Sequence, residues 1–248
     1  VDLRTGMLIS ERVRIPTPAP ATPEAVAATA KQLLGELATT HDLPQGPIGI
    51  DFPAVVRDGH TWSAANVDAT WIGAPAERLF REASGREVVL INDADAAGVA
   101  EVVFGVGQGR NGTIMMLTLG TGVGSALFSG GELVPNTEFG HLELRGTTIE
   151  NYVSDRIRKQ EDLSWKAYGK RLAEVLRQLD AWFSVQLFII GGGASKAAKW
   201  EKYASYLVDL PEVRPAALRN AAGIVGAAYA ARHPHRGTTH VDRAPSDA

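Results

Sequence analysis

Cysteine is absent from this chain of 248 residues, which excludes a disulfide framework and any zinc site with cysteine ligands. No apolar run approaches the roughly 18 residues of a membrane-spanning helix. The first residues also lack the charged and apolar regions of a secretory signal. We therefore expect a cytoplasmic protein with no membrane partner.

Concentrated positive charge is also missing. The chain has 25 Lys and Arg against 28 Asp and Glu, a formal net charge of -3, and its basic residues are scattered. This pattern excludes the electrostatic footprint of a nucleic-acid-binding protein, so a polyanionic substrate would need a local basic groove. With 45% hydrophobic residues, the chain can form one large domain or two lobes of a compact enzyme or binding protein.

The order of the predicted elements indicates an α/β fold. We predict a hairpin over 1–14, a helix from Pro23, strands over 46–56 and 88–91, a helix over 96–104, strands over 113–119 and 125–128, a helix over 165–182, a strand over 187–190 and a helix over 221–231. Each half begins with a hairpin and continues into helix and strand. We therefore predict a small lobe over 1–109 and a large lobe over 110–248, with a flexible tail over 232–248.

A glycine-rich loop lies at the centre of the chain. Gly120, Gly122 and Gly124 alternate between two β-rich runs, so this loop joins strand to strand. A dinucleotide fingerprint or a Walker loop would instead open a helix, and no GK[ST] follows. The missing side chains would let backbone N–H groups converge on phosphate. The alternative is a tight β-turn that needs positive φ.

A second polar segment follows the predicted strand over 88–91. Asn92, Asp93 and Asp95 come at its carboxyl end, where α/β proteins bind ligands. If phosphate lies on the glycine loop, Asp93 could accept the proton of an acceptor hydroxyl, with Asp95 as its competitor. Both aspartates could instead cap the helix that follows.

Three further polar side chains, Glu138, His141 and Glu150, could bind the vicinal hydroxyls of a sugar. They could also form a divalent metal site, although no HExxH or facial-triad spacing is present, or simply the polar surface of a hairpin. Asn66 lies in a predicted structured loop. Its role could be purely structural, as a turn former. The histidines of the tail lack the flanking structure of a metal site, so we interpret them as solvated.

Five motifs in this order resemble the ROK family of sugar kinases and repressors, within the hexokinase and actin-like superfamily. They are INDADAAG, LTLGTGVGSA, NTEFGHLE, IENYVS and LFIIGGGASK. Four segments resemble its polyphosphate glucokinase and polyphosphate/ATP glucomannokinase subgroup: TPAPATPEAVA, SAANVDATW, VPNTEFGHLEL and RPAALRNAAGIVGAA. The resemblance covers nearly the whole chain and implies a two-lobed actin-like/hexokinase fold of the ribonuclease H-like type.

The resemblance also implies roles for matched positions. Asp93 matches the catalytic base. The matched sugar ligands are Asn66, Asn92, Glu138, His141 and Glu150. The second phosphate loop matches Gly120, Thr121, Gly122 and Gly124, and the loop that packs on adenosine matches Gly191, Gly192 and Gly193. The histidine matched by His141 ligates zinc in most relatives, but we expect no zinc here because the chain lacks cysteine.

The implied activity is transfer of the terminal phosphoryl group of polyphosphate, or of ATP, to the 6-hydroxyl of glucose. Mg²⁺ would be carried on the donor phosphates, mannose is a second possible acceptor, and a homodimer is expected. Candidate residues for a polyphosphate groove are Lys196, Lys199, Lys202 and Arg110, each of which could instead be solvated surface. The alternatives are an ATP-dependent kinase for another hexose, or a sugar-binding regulator, although no helix-turn-helix precedes Thr22.

Two departures from the family pattern stand out. In relatives, a strand and a DIGGT or DIGGS phosphate loop precede the residues that resemble Val1, Asp2 and Leu3. The resemblance therefore implies that this phosphate loop is missing from the sequence. Either the sequence is incomplete or the chain is not an active kinase as it stands. We expect an incomplete sequence, because a sheet without its first central strand would expose its neighbours. Ala54 stands where relatives usually have glycine.

Overall fold

A computed structural model describes residues 1–43, 45–64 and 67–233. The helices are α1 (Pro23–Thr40), α2 (Ala76–Ser84), α3 (Asp93–Phe104), α4 (Ile149–Val153), α5 (Asp155–Gln160), α6 (Trp165–Phe183), α7 (Ala197–Tyr203) and α8 (Ala222–Arg232). The strands are β1 (Ile48–Phe52), β2 (Val56–Arg57), β3 (His60–Thr61), β4 (Val88–Asn92), β5 (Thr113–Leu119), β6 (Val123–Ser129), β7 (Glu132–Val134), β8 (Glu143–Leu144), β9 (Thr147–Thr148), β10 (Leu187–Gly192) and β11 (Glu212–Pro215). Among these helices, none combines the length and apolar character that a membrane crossing requires.

Two sheets position the ends of the strands. In the first half of the chain, β1 and β4 pair in parallel, with Phe52 opposite Asn92. In the second half, five strands lie in the order β11-β10-β5-β6-β7. Strand β10 runs parallel to β5, whereas β6 and β7 are antiparallel additions. The carboxyl ends of β5 and β10 therefore meet at one edge of the larger sheet.

Small residues allow α8 to pack closely. A Cβ at Gly226 would collide with the carbonyl of Ala96 on α3, and a Cβ at Gly49 on β1 would collide with the carbonyl of Ala227. The predicted small-residue helix over 221–231 is thus confirmed, one residue later at each end. Its contacts with β1 and α3 join the smaller sheet to the helix that begins at Asp93.

The long amphipathic stripe predicted over 165–182 is confirmed as core. Tyr168, Leu172 and Leu179 on α6 are all fully buried. They pack in one cluster with apolar residues of β5 and β10. Trp182 differs because it lies on the last turn of α6 and is 48% exposed. The apolar stripe of α6 therefore packs against β5 and β10 and helps to fix the position of their ends.

Three boundaries differ from the predictions. The hairpin predicted over 1–14 is reduced to one bridge between Asp2 and Met7. Residues 8–22 contain no strand, because no described strand pairs with them and the prolines at 16, 18 and 20 cannot donate to a ladder. The strand predicted over 46–56 ends at Phe52, before Pro53. Helix α3 begins three residues earlier than predicted, since Asn92 caps it.

Candidate active site

The glycine loop is a short hairpin connection between β5 and β6, so its predicted strand-to-strand position is confirmed. The Gly120 N–H donates to the carbonyl of Gly122 over 3.0 Å. Gly120, Gly122 and Gly124 do not have positive φ, so the β-turn interpretation that required it is wrong. Space is the reason for glycine at two of them: a Cβ at Gly124 would lie 2.9 Å from the Cβ of Ala94, and one at Gly122 would overlap the Glu150 carboxylate.

Glu150 is held against this loop. It lies in the first turn of α4, which the Thr148 hydroxyl caps by accepting the N–H of Asn151. The Glu150 Oε2 accepts a hydrogen bond of 3.2 Å from the N–H of Val123, at the first residue of β6. The carboxylate therefore packs against the glycine loop, whereas the sequence suggested a sugar ligand, a metal ligand or a polar surface side chain.

The second glycine segment lies beside the first. Gly192 pairs with Leu119 at the ends of the parallel strands β10 and β5. A Cβ at Gly192, whose φ is +72°, would lie 2.6 Å from the Leu119 carbonyl oxygen. Ligands of α/β proteins bind at the carboxyl ends of such strands. The structure thus brings Gly191, Gly192 and Gly193 together with the loop at Gly120.

A basic cluster surrounds Asp155 just beyond these loops. Arg158, Lys159 and Lys199 each place a nitrogen within 3.2 Å of its carboxylate. Burial alone would raise the pKa of Asp155, but the hydrogen bonds from Lys159, Lys199 and Arg158 lower it to about 2. Asp155 is therefore ionised at neutral pH, and the cluster keeps an excess of positive charge.

A groove of about 610 Å³ opens from the glycine loop toward this cluster. Its lining residues are Gly120, Thr121, Asp155, Arg156, Lys159 and Gln160. The Arg156 guanidinium donates to the carbonyl of Thr121 over 3.0 Å, and its backbone N–H donates to Gly120. This geometry ties a cation to the tip of the loop.

The candidate groove residues from the sequence are only partly brought together. Lys199 lies in the cluster, whereas Arg110 pairs with Glu212 at 3.0 Å, and Lys202 lies over the Trp165 ring. Sequence reasoning missed Arg156 and Lys159. Their only signal was position, six and nine residues after Glu150.

Asp93 lies at the start of α3, next to the glycine loop. Its side chain is exposed to solvent, but burial within the surrounding cleft raises its pKa. A hydrogen bond from the Ala94 N–H opposes this effect, and the charge of Asp51 adds to it. A Cβ at Gly124, the second residue of β6, would lie 2.9 Å from the Cβ of Ala94, so the residue after Asp93 packs against the strand that leaves the glycine loop.

The neighbouring Asn92 has structural roles. Its Oδ1 caps α3 by accepting the N–H groups of Ala94 and Asp95 at 2.9 and 3.1 Å. Its Nδ2 donates to the carbonyl of Ala54 over 3.1 Å. One amide hydrogen is left for a sugar hydroxyl, so the role predicted for Asn92 stays a prediction.

Asp95 is only 1% exposed. Its Oδ2 accepts the N–H of Asn136 over 2.7 Å. Burial raises its pKa to about 7, against the Asn136 hydrogen bond and with the help of the charges of Glu138 and Asp93. Because an acceptor hydroxyl cannot reach a buried carboxylate, Asp93 is the better candidate base of the two.

Glu138 directly precedes, and His141 ends, a single turn of 3₁₀-helix over Phe139–His141. The Glu138 Oε2 lies 3.8 Å from the His141 Nδ1. Burial raises the pKa of Glu138, the His141 charge opposes this, and the charges of Asp93 and Glu150 raise it further. Glu138, Asp93 and Glu150 therefore lie near enough to share one electrostatic environment.

Two predictions cannot be placed in this cleft. Asn66 lies outside the described residues, as do the tail histidines after residue 233. Across the part of the chain that the structure describes, no group of three or more His, Asp or Glu side chains could hold a metal ion.

Comparison with known proteins identifies the family. A model of the ROK family matches residues 1–156. The chain belongs to the ROK family. It is 42% identical to a polyphosphate glucokinase of Mycobacterium tuberculosis (strain ATCC 25618 / H37Rv) over 231 residues, which cover 93% of this chain and 84% of that protein.

Solved structures of ROK proteins share the fold. The inorganic polyphosphate/ATP-glucomannokinase from Arthrobacter sp. strain KM matches with a TM-score of 0.88 and 43% identity, over 95% of this chain and 93% of that one. A ROK family glucokinase from Streptomyces griseus, in complex with glucose and AMPPNP, matches with a TM-score of 0.74 and 24% identity, over 89% and 91%. The predicted actin-like/hexokinase α/β fold is confirmed. The lobe boundary between 109 and 110 stays a prediction.

Proposed function

We propose that this ROK protein transfers the terminal phosphoryl group of inorganic polyphosphate to the 6-hydroxyl of glucose. The observation that carries the proposal is the close packing of Ala94, the residue after Asp93, against Gly124 in β6, the strand that leaves the glycine loop. The 42% identity to a polyphosphate glucokinase supports this donor and acceptor.

Asp93 is the general base of the proposed reaction. Its raised pKa makes the carboxylate a stronger proton acceptor than an ordinary aspartate. As the phosphoryl group is transferred, Asp93 would accept the proton of the 6-hydroxyl. Asp95 stays buried and holds the Asn136 segment in place.

Glucose would bind in the cleft beside Asp93. Glu138 and Glu150 supply carboxylate oxygens that can accept hydroxyl protons, and His141 and Asn92 supply further hydrogen-bonding groups. Buried polar groups that only the correct hexose can satisfy would give specificity. The proposal also includes Asn66 as a sugar ligand. Mannose is included as an alternative acceptor.

The donor would lie along the glycine loop and the adjoining groove. Backbone groups of Gly120 to Gly124 would face the reacting phosphate, and Arg156 and Lys159 would bind phosphates farther along the chain. ATP is a second candidate donor, because the Arthrobacter relative is described as using both. Its adenosine would pack on Gly191 to Gly193.

Magnesium is expected on the donor phosphates, where it would neutralise charge during transfer. The charge of Asp51 helps to raise the pKa of Asp93, so these two carboxylates lie near each other. Asp51 and Asp93 are the carboxylates that would face it. The proposal also includes a homodimer, a cytoplasmic location, and lobes over 1–109 and 110–248 that close on the sugar.

A coupled assay for glucose 6-phosphate, run separately with polyphosphate and with ATP, tests this function. We expect product with polyphosphate and glucose. Product with ATP but none with polyphosphate would overturn the proposed donor. Glucose binding without product from either donor would support the alternative of a sugar-binding regulator.

A further inference from the structure

Asn136 joins two parts of the chain that are 80 residues apart. Its Oδ1 accepts the N–H of Val56 over 2.8 Å, and its Nδ2 donates to the carbonyl of Val56 over 2.7 Å. The side-chain amide therefore pairs with both backbone groups of one residue, as a neighbouring strand would. Val56 is 7% exposed, so water competes little for these bonds.

The backbone of Asn136 is fixed as well. Its N–H donates to the buried Asp95 carboxylate, and its φ of +59° lies in the left-handed region that asparagine tolerates. One residue later, the Thr137 carbonyl accepts the Ser125 hydroxyl over 2.7 Å. The segment that leads into Glu138 is therefore tied to α3, to β6 and to β2.

The residues next to Val56 are held from the other side by Asn92. The Asn92 side-chain amide donates to the carbonyl of Ala54, which lies two residues before Val56. The backbone N–H of Val55 donates to the Ser63 hydroxyl over 2.9 Å. Residues 54–56 are thus fixed between two side-chain amides, one directly before Asp93 and one two residues before Glu138.

We propose that Asn136 is a positioning residue of the sugar site, whose side-chain amide ties the segment that leads into Glu138 to residues 54–56, which Asn92 also holds, before the sugar arrives. This proposal rests on the proposed function, since Glu138 and Asn92 are sugar ligands only there. A preformed loop does not have to be ordered during binding, so the amide improves sugar affinity without touching sugar. The rate of phosphoryl transfer in the complex, once formed, depends on it less.

Asn136→Gly separates this role from a general need for asparagine at this φ. Glycine adopts the left-handed conformation freely and keeps the N–H that donates to Asp95, so only the bonds to Val56 are lost. The matched control is Asp209→Gly, because Asp209 also has positive φ (+54°) and is exposed on another face.

The main readout is glucose affinity without a donor. It is measured by calorimetry or by the fluorescence of Trp62, which is 57% exposed and directly follows β3. We expect Asn136→Gly to weaken glucose binding about tenfold and to raise KM more than it lowers kcat, as expected for lost preorganisation. Asp209→Gly should bind glucose like the wild type. Affinity within twofold of the wild type in a folded Asn136→Gly variant would overturn the proposal.

Hydrogen exchange in the wild type covers the case in which Asn136→Gly does not fold. The Val56 amide hydrogen, bonded to the Asn136 Oδ1, should be protected already without glucose. Exchange at the rate of an unstructured amide until glucose is added would show that the loop is not preformed, and the proposal would then be wrong. A wild type that binds no glucose but protects Val56 would count against the proposed function alone.

Discussion

The carboxylate of Glu150 occupies the space in which a side chain at Gly122 would have to lie. The same carboxylate accepts the N–H of Val123, the next residue of the loop. A candidate sugar ligand and a glycine of the candidate phosphate loop therefore pack as one unit. This contact couples the two halves of the proposed site, and it explains the glycine without appeal to backbone conformation.

Gly122→Ala should consequently destabilise the protein. The added methyl group must displace Glu150, at a cost of about 1–3 kcal/mol for overpacking. Gly120→Ala is the matched control for folding, since a Cβ there meets nothing within 4 Å. Urea denaturation of both variants measures the difference. The double change Gly122→Ala with Glu150→Ala should recover part of the loss, and additive effects would contradict the coupling.

Asp93→Asn should lower kcat by several orders of magnitude and leave glucose affinity nearly unchanged. The amide keeps the size and hydrogen-bonding capacity of the side chain but cannot accept the proton. Because burial raises the pKa of Asp93, wild-type kcat/KM should rise with pH on a limb above the usual range of aspartate. The test is a pH series with wild type and variant. A variant with substantial turnover would remove Asp93 as the base.

Asp95→Asn should change how stability depends on pH. The pKa of Asp95 is about 7 in the folded protein, against an ordinary value of 3.8, so the folded state binds the extra proton between these values. The Asp95 contribution to stability is therefore lost as pH rises from about 4 to 7. Relative to wild type, the variant should gain on the order of 2 kcal/mol between pH 5 and pH 8.

Denaturation of both proteins at several pH values measures this difference in stability. Subtracting one protein from the other cancels the contributions of the carboxyl groups that they share. Asparagine can still accept the N–H of Asn136, so the comparison isolates the charge. A difference between the two proteins that does not vary with pH would mean that Asp95 titrates normally.

The parts of the site that sequence reasoning found are local. The strand that ends at Asn92 and the glycine hairpin at Gly120 show short-range patterns of apolar residues and glycines, so their positions follow from the chain itself. Helix α3 was predicted three residues late because Asn92 serves as both the last strand residue and the cap. A single side chain with two structural roles is invisible to either pattern.

The parts that sequence reasoning missed depend on contacts between distant residues. Nothing in the sequence near Asn136 indicates that its amide pairs with Val56, since the two are 80 residues apart. Arg156 and Lys159 likewise belong to a short helix with no motif, and only the fold places them at the loop tip. Periodicity predicts elements, whereas these roles arise when elements meet.

Lys159→Met should weaken the use of long polyphosphate more than that of short chains. Lys159 lines the groove and its side chain is 62% exposed, so we expect it to meet phosphates beyond the reacting group. Asp155 keeps Lys199 and Arg158 as partners, so the fold should be preserved. Loss of one exposed charge contact should raise KM for long polyphosphate about three- to tenfold.

The measurement is KM as a function of polyphosphate length at two salt concentrations. Added salt should raise the wild-type KM more than that of Lys159→Met, because the variant has one screened attraction fewer. Lys170→Met, an exposed lysine on α6 outside the groove, is the matched control and should behave like the wild type. If Lys159→Met and the control gave the same KM at every chain length, the polyphosphate chain would have to leave the loop in another direction, and Arg156 would be the next residue to change.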